Sequence, residues 1–478
     1  MGLASGDHGV KKTCKEIFSD SYRDFGDLVQ ARTAVSKSAK QTCVILDGNV
    51  LLKSIPLAMW SLQHYDKLFT TSIKQAFKAA DTVIVIFDDG VTKAKAFEQD
   101  RRDKSRAKRK PVVSADMREE FCPTTDEYTV EQIDETVNVH YLYDERAARP
   151  RLIDILCKRA MEKFLAEQKS SVKRWTTNGS DPAATQTLVF DGVDCRGGDR
   201  PFGTPREGAF YCSDPNLDDR LERKLGEHVG EGDVKFTDLQ RRIADLKEKG
   251  KAFTEVELVI LSTVDTDSIG IELMRIALES YRGVKLPFDT LLAFRERPPK
   301  RKADEGADVL ASASYSTFHT RRLYDLVLVA IFGDGLEATK HIHPHAMFLL
   351  VTLWVLGGSD FAKQPGMRSD ISIEAVCSIA SEDLMMLQGM APVLKLACKG
   401  SDTTEDEIMA VKDGLLSTIE KGVRACAQVL AETPRLKASS HKASNFFVTE
   451  LKKASFVTLY WAIVNENVLD KKLTSFGF

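Results

Sequence analysis

The chain has 478 residues, 43% of them hydrophobic and 29% charged, which supplies a large core and excludes a wholly disordered or collagen-like polymer. At about 150 residues per domain, one large domain with insertions or two to three domains are expected. With 67 basic against 70 acidic residues the net charge is −3, so a nucleic-acid site would have to come from local segregation of charge.

The nine cysteines never form a Cys-x-x-Cys pair, so reduced, intracellular thiols are expected rather than a disulfide framework or a zinc ribbon. Met1 to Asp7 contains no basic segment leading into an apolar stretch, so no secretory signal is expected. Gly6 stands where N-myristoylation wants Ser or Thr. The longest apolar run, thirteen residues from Ala346 to Gly358, is short of the ~20 that a membrane span requires. A soluble protein with no membrane partner is expected.

In chain order, residues 1–40 are mixed and weakly patterned. Thr42 to Asp47 is a short apolar run ending in a carboxylate and Gly48, the pattern of a buried strand. Residues 50–80 carry Leu57, Trp60, Leu68, Ile73 and Phe77 at helical spacing. Thr82 to Phe87 is a continuous, largely β-branched run that ends in Asp88-Asp89-Gly90; such a run is buried on both faces, as in a parallel sheet covered by helices. Residues 93–110 hold nine Lys and Arg against three acids, a local charge of +6. Residues 111–180 are polar and partly helical, Leu188 to Asp191 predicts another strand, and the Gly-, Asp-, Arg- and Pro-rich stretch 192–220 predicts an inserted loop. Glu257 to Thr263 is a further buried strand, ending at Val264-Asp265-Thr266-Asp267. A charged loop is expected at 296–307, an apolar helix at 346–356 running into Gly357-Gly358-Ser359-Asp360, and helices over most of 370–470. Strands alternating with helices predict an α/β domain.

Acidic residues are abundant here, so position decides which of them carry meaning. Asp47, Asp88 and the Asp265/Asp267 pair each end a predicted parallel strand, the edge at which sites form in open α/β sheets. Glu231 and Asp233 flank Gly232 in a predicted turn, and Asp360 follows Gly357-Gly358-Ser359. The bland account of any one such Asp is a cap on the next helix. A cluster of them repels itself in a water-poor cleft, and hard oxygen ligands suit Mg²⁺, or Mn²⁺ as a substitute. Two such ions about 3.5–4 Å apart are the usual apparatus for cleaving a phosphodiester.

In order and spacing these motifs resemble the metal-dependent 5′-nuclease superfamily with the PIN-like fold, which includes the flap endonucleases and the Xrn-type 5′→3′ exoribonucleases. Met1-Gly2-Leu3 is similar to the start of both groups. Leu46-Asp47 and Phe87-Asp88 match the first two catalytic aspartates, and Gly230-Glu231-Gly232-Asp233-Val234-Lys235 matches an Xrn motif in which Asp233 is Glu. Asp265-Thr266-Asp267 matches the paired aspartates and Gly358-Ser359-Asp360-Phe361 the last acid. Asp191, in Val-Phe-Asp-Gly, also looks like the second motif, but it lies between the second and third and is taken as a strand end leading into the insertion. The resemblance implies a mostly parallel sheet covered by helices, a helical arch inserted in it and a helical C-terminal region. The expected parts are 1–110 and 226–366 as two halves of a nuclease domain, 111–225 as arch and inserted loop, and 367–478 as the helical remainder.

Both groups also carry a Lys seven and an Arg fourteen residues after the second Asp, where they contact substrate phosphate. Counting from Asp88 gives Lys95 and Arg102, with Gln99 between them, whereas counting from Asp89 gives Ala96 and Asp103. Asp88 is therefore the expected ligand. Lys95, Gln99 and Arg102 lie at i, i+4 and i+7 on one helical stripe, able to grip a terminal phosphate. The bland alternative is a solvated basic helix, or a nuclear-import run at 106–110.

What the resemblance implies is a two-metal nuclease acting at or near a 5′ end of DNA or RNA. Asp47, Asp88, Glu231 and Asp233 would hold one ion and Asp265, Asp267 and Asp360 the second. Lys95 and Arg102 would serve catalysis, and Gly2, Lys95, Gln99 and Arg102 would touch nucleic acid. The alternative is an inactive relative kept as a nucleic-acid-binding or scaffold component. Spacing and the Gly-Glu-Gly-Asp motif lean towards the Xrn group, the short chain towards a DNA nuclease. Lys472 to Phe478 looks like a degraded sliding-clamp peptide. The nucleus, or another site of nucleic-acid metabolism, is the expected location. His341, His343 and His345 lack partners at metal-ligand spacing, and Pro344 predicts a helix start there. Trp354, Phe348 and Leu353 are expected to be helical core.

Overall fold

A computed structural model of the chain describes residues 9–35, 41–53, 62–88, 149–169, 186–194, 208–214, 232–296, 314–357, 369–399 and 403–432, together with 217, 452, 454, 457 and 461. The strands are β1 (Tyr22–Phe25), β2 (Gln41–Asp47), β3 (Thr82–Ile86), β4 (Thr187–Asp194), β5 (Gly208–Cys212), β6 (Val256–Thr263), β7 (Asp289–Arg295) and β8 (Tyr315–His319). They form one eight-stranded sheet in the order β1-β8-β7-β6-β2-β3-β4-β5. From β7 through β6, β2 and β3 to β4 every neighbouring pair is parallel. β5 joins β4 antiparallel, and on the other side β8 joins β7 and β1 joins β8 antiparallel. The expected α/β class with a mostly parallel sheet is the fold observed.

Alternation along the central strands sorts side chains to two faces. Cys43 and Ile45 of β2, Ile84 and Ile86 of β3 and Val259 and Leu261 of β6 enter one core. Val44 and Leu46, Val83 and Val85, and Leu258 and Ile260 enter the other. Each fully buried Val, Leu or Ile contributes about 1.5–3 kcal/mol, which explains why these strands carry no polar face. The second core is roofed by α2 (Leu28–Val35), α3 (Gly48–Lys53), α4 (Leu62–Phe77) and α5 (Arg149–Lys169). The first is roofed by α1 (Val10–Ile17), α6 (Gly232–Glu248), α7 (Asp267–Arg282) and α8 (Thr320–Phe332). α9 (His343–Gly357) and α10 (Ser369–Glu382) form a further helical layer with Ala391–Lys399 and Glu405–Glu432. α9 is buried on every side, as its unbroken apolar sequence requires. Phe348, Leu353 and Trp354 are core side chains, and the Trp354 indole donates to the Ser369 carbonyl at 3.1 Å. No helix among the described residues is long and apolar enough to cross a membrane.

The stretch 192–220, expected as a loop, contains β5, which extends the sheet beyond β4. Within the segment expected as arch and insertion, α5, β4 and β5 build the layers of the main sheet. β1, β7 and β8 fall where no strand was expected. β1, β5 and β8 lie beyond the parallel core, where no continuous β-branched run is needed for burial on both faces. β7 is buried, but reads as Leu-Leu-Ala-Phe rather than Val and Ile. Residues 89–148, 297–313 and 462–478, which include the basic block, the charged loop and the clamp-like terminus, lie outside the described residues.

One glycine ties strand to helix. A Cβ on Gly48, at the start of α3, would fall 2.3 Å from the Phe87 ring, which is 1% exposed. Gly48→Ala is expected to destabilise the fold by about 1–3 kcal/mol through overpacking. Denaturant unfolding of Gly48→Ala, Phe87→Leu and the double variant tests this. The double variant should recover part of the loss, and simple additivity would show that the two positions do not meet.

Candidate metal-binding site

Because β2, β3 and β6 run parallel, their C-terminal ends lie at one edge. Asp47 ends β2 in register with Ile86 of β3, and Leu46 is level with Ser262 of β6. Asp88 follows β3 by two residues and Asp265 follows β6 by two. Register alone therefore brings the three strand-end carboxylates to the same side of the sheet.

Each of these carboxylates meets the start of a helix. Asp47 Oδ1 accepts the Val50 N–H of α3 at 3.2 Å. Asp88 Oδ1 accepts the Gly232 N–H, the first of α6, at 2.7 Å. Asp265 Oδ1 accepts the Asp267 N–H, the first of α7, at 3.1 Å. Helix N-termini carry partial positive charge, so all three contacts are favourable. The approach of Asp88 to α6 requires glycine: a Cβ on Gly232 would stand 3.0 Å from Asp88 Oδ1.

Asp233 sits at the centre of the charge. The expected Gly-flanked turn is instead the opening of α6, with Asp233 in its first turn. Its Oδ1 accepts a hydrogen bond from the Ser268 hydroxyl at 2.6 Å and a longer one from Thr263 Oγ1 at 3.4 Å. Burial, followed by the nearby charges of Asp265 and Asp47, raises its pKa well above the ordinary carboxylate value. Asp267 adds to that effect, and the Ser268 hydrogen bond opposes it. Thr263 Oγ1 also accepts the Asp265 N–H at 3.0 Å, which fixes the turn from β6 into α7. Asp267 itself is buried at the start of α7.

The structure thus brings together Asp47, Asp233, Asp265 and Asp267, and joins Asp88 to them through the first residue of α6. Glu231, Asp360, Lys95, Gln99, Arg102 and Gly2 lie outside the described residues. All the gathered donors are hard carboxylate oxygens, a chemistry that fits Mg²⁺ or Mn²⁺. Among the described residues no three acidic, histidine or cysteine side chains already surround one point at coordinating distance.

Sequence reasoning missed three residues at this edge. Ser268, directly after the Asp-x-Asp pair, supplies the hydrogen bond to Asp233. Asp191, expected as a strand end before an insertion, lies inside β4, and its Oδ1 is 3.6 Å from Lys235 Nζ, both side chains buried. Lys235 was visible only as the last letter of a motif. The histidines lie elsewhere: α9 starts at His343, whose Nε2 is 3.2 Å from Thr339 Oγ1, and His345 packs edge-on against Tyr281. Burial lowers the pKa of both.

Asp233 sets a pH dependence whose sign is fixed. Its pKa is raised by folding, so the unfolded chain releases this proton first as pH rises. Stability of the cation-free protein must then fall as pH climbs from the usual carboxylate range through the raised value. Asp233→Asn removes that slope. In EDTA, its unfolding temperature should exceed that of the wild type by about 1–4 °C at pH 8, with the gap closing towards pH 4. A gap independent of pH would show that Asp233 is not held by repulsion. No protein-family model matches the chain, and no curated protein matches it in sequence.

Proposed function

We propose that the chain is a metal-dependent 5′→3′ nuclease of PIN-like fold, hydrolysing phosphodiester bonds at or near the 5′ end of a DNA or RNA strand. The observation that carries this reading is the gathering of four carboxylates at one edge of the parallel sheet, close enough that Asp265, Asp47 and Asp267 all raise the pKa of Asp233. Folding like charges together is unfavourable, and a divalent cation is the ligand that reverses the penalty.

In this reading Asp47, Asp88 and Asp233 with Glu231 form one half of the ligand set, and Asp265 and Asp267 with Asp360 the other. Two Mg²⁺ ions, when bound, supply an acidified attacking water and stabilise the departing 3′-oxygen. Asp233 must give up its proton to act as a ligand, so cation affinity rises with pH. Ser268 and Thr263 aim the Asp233 carboxylate by their hydroxyls. The backbone N–H groups of Gly232 and Asp267 do the same for Asp88 and Asp265. Lys95, Gln99 and Arg102 would read the 5′-phosphate, with Lys95 facing the charge that develops on the scissile group.

A second reading has its own observation. Asp47, Asp88 and Asp265 each already serve a helix N-terminus, so these residues have a structural use without any catalysis. An inactive nucleic-acid-binding or scaffold protein would retain them for that reason.

Asparagine variants separate the two readings, because an amide oxygen still accepts the helix N–H while the charge is lost. Asp265→Asn and Asp88→Asn should remain folded and lose at least ~100-fold in cleavage rate with Mg²⁺. EDTA should abolish wild-type cleavage of a 5′-phosphorylated strand, and Mg²⁺ or Mn²⁺ should restore it. No cleavage of DNA or RNA under any of these conditions would favour the scaffold, and cleavage by Asp265→Asn as fast as by the wild type would overturn the assignment of catalysis to these carboxylates.

The phosphate stripe makes a separate prediction. A 5′-phosphorylated strand should be cut faster than a 5′-hydroxyl strand, less so at high salt. Arg102→Ala should shrink that ratio. Equal loss on both strands would reduce the stripe to a solvated basic helix.

A further inference from the structure

Asp191 and Lys235 are both buried, and nothing in the reaction outlined above uses them. Their position ties together the parts that carry the carboxylates. The Asp191 backbone carbonyl accepts the Phe87 N–H at 3.1 Å, which fixes the residue just before Asp88. Asp88 Oδ1 accepts the Gly232 N–H at 2.7 Å. Three residues along α6, Lys235 Nζ returns to within 3.6 Å of Asp191 Oδ1. The contacts form a closed ring through β4, the end of β3 and the first turn of α6, and Asp233 lies on the part of the ring between Gly232 and Lys235.

Helical geometry gives the ring its effect. At ~100° per residue, Asp233 and Lys235 point to nearly opposite sides of α6. Lys235 enters the sheet side and is fully enclosed, while Asp233 is turned towards Ser268, Asp265 and Asp47. A lysine in the first turn of a helix meets the wrong end of the helix dipole. Burial adds a second penalty to the same ammonium group. Its presence there requires a compensating anion, and Asp191 provides one from the neighbouring strand. Repulsion between Asp233 and the other carboxylates pushes the first turn of α6 away from the strand edge, and the ion pair pulls it back.

We infer that Asp191 and Lys235 are positioning residues: their buried ion pair holds the first turn of α6 on the sheet and thereby sets the Asp233 carboxylate for divalent-cation binding. This rests on the nuclease reading, which supplies the cation. Neither residue touches substrate, and the pair acts through Gly232 and Asp233.

Replacing both charges with apolar groups of similar size separates positioning from stability, because buried pairs are often replaced in this way without loss of the fold. The full-length Asp191→Leu/Lys235→Met variant should unfold within a few degrees of the wild type. It should bind Mn²⁺ roughly 10–100-fold more weakly by calorimetric titration, the scale of a lost supporting contact. With Mg²⁺, kcat on a 5′-phosphorylated strand should fall by a similar factor while KM for the strand holds. A folded double variant with wild-type Mn²⁺ affinity and wild-type kcat overturns the inference and leaves the nuclease reading standing.

If the double variant does not fold, Asp191→Glu decides, since it keeps the charge and lengthens its reach by one methylene. Weakened Mn²⁺ binding at an unchanged unfolding midpoint supports the positioning role, and unchanged binding overturns it. A wild-type chain that neither binds Mn²⁺ nor cleaves any strand overturns the nuclease reading, and this inference with it.

Discussion

The structure depends on a conflict of charge at one edge of its sheet. Parallel strands deliver their C-terminal ends to the same place, and here three of those ends carry aspartates. Left alone, the carboxylates would repel one another and the turns that hold them. What offsets the repulsion is the helix that follows each strand in an α/β fold, because its N-terminus brings backbone N–H groups and partial positive charge. α3 meets Asp47, α7 meets Asp265, and α6 crosses from elsewhere in the chain to meet Asp88. Asp233 is the exception. It sits on a helix rather than at a strand end, its main support is the hydroxyl of Ser268, and burial beside the other carboxylates raises its pKa.

Such a site needs a rigid foundation, and the two cores provide it. β2, β3 and β6 are buried on both faces, so the height and register of their last residues are fixed by packing on either side. Gly48 makes this explicit: the turn out of β2 passes so close to the Phe87 ring that no side chain fits, which couples the end of β2 to the end of β3. Shape complementarity in the core thus sets the spacing of the charges above it. The electrostatic cost at the edge is carried by apolar burial beneath it, a common arrangement at functional sites.

The parts legible in the sequence are those where one physical demand dominates. The strands β2, β3 and β6 stand out because burial on both faces demands unbroken apolar runs, and α9 because burial all round demands the same of a helix. The strand-end positions of Asp47, Asp88 and Asp265 follow from those runs. The edge strands are hidden because pairing, not composition, makes them strands: Tyr22–Phe25 and Gly208–Cys212 carry no run that sets them apart from loop. The start of α6 is hidden for another reason. Gly-Glu-Gly-Asp is turn chemistry by local rules, but contacts with Asp88 and Ser268 turn Gly232 and Asp233 into a helix N-terminus. Asp191 and Lys235 lie 44 positions apart in the chain (191 to 235), and no local pattern predicts that they meet.

The same reasoning explains why a single aspartate at a strand end says little about function and why this set says more. One capping aspartate is stabilised by its helix and needs no further account. A set in which Asp265, Asp47 and Asp267 all raise the pKa of Asp233 goes beyond what capping requires, since asparagine or serine would cap as well without repelling its neighbours. Asp233 separates the two cases most clearly. In the first turn of α6 an acid is favoured by the helix dipole, and an exposed one would relax into solvent. This one is instead held beside Asp47, Asp265 and Asp267, with its own carboxylate pinned by Ser268. A fold shaped only for stability would place a neutral residue there. The excess negative charge is therefore the feature that packing and capping leave unexplained, and it is the feature on which the proposal of cation binding rests.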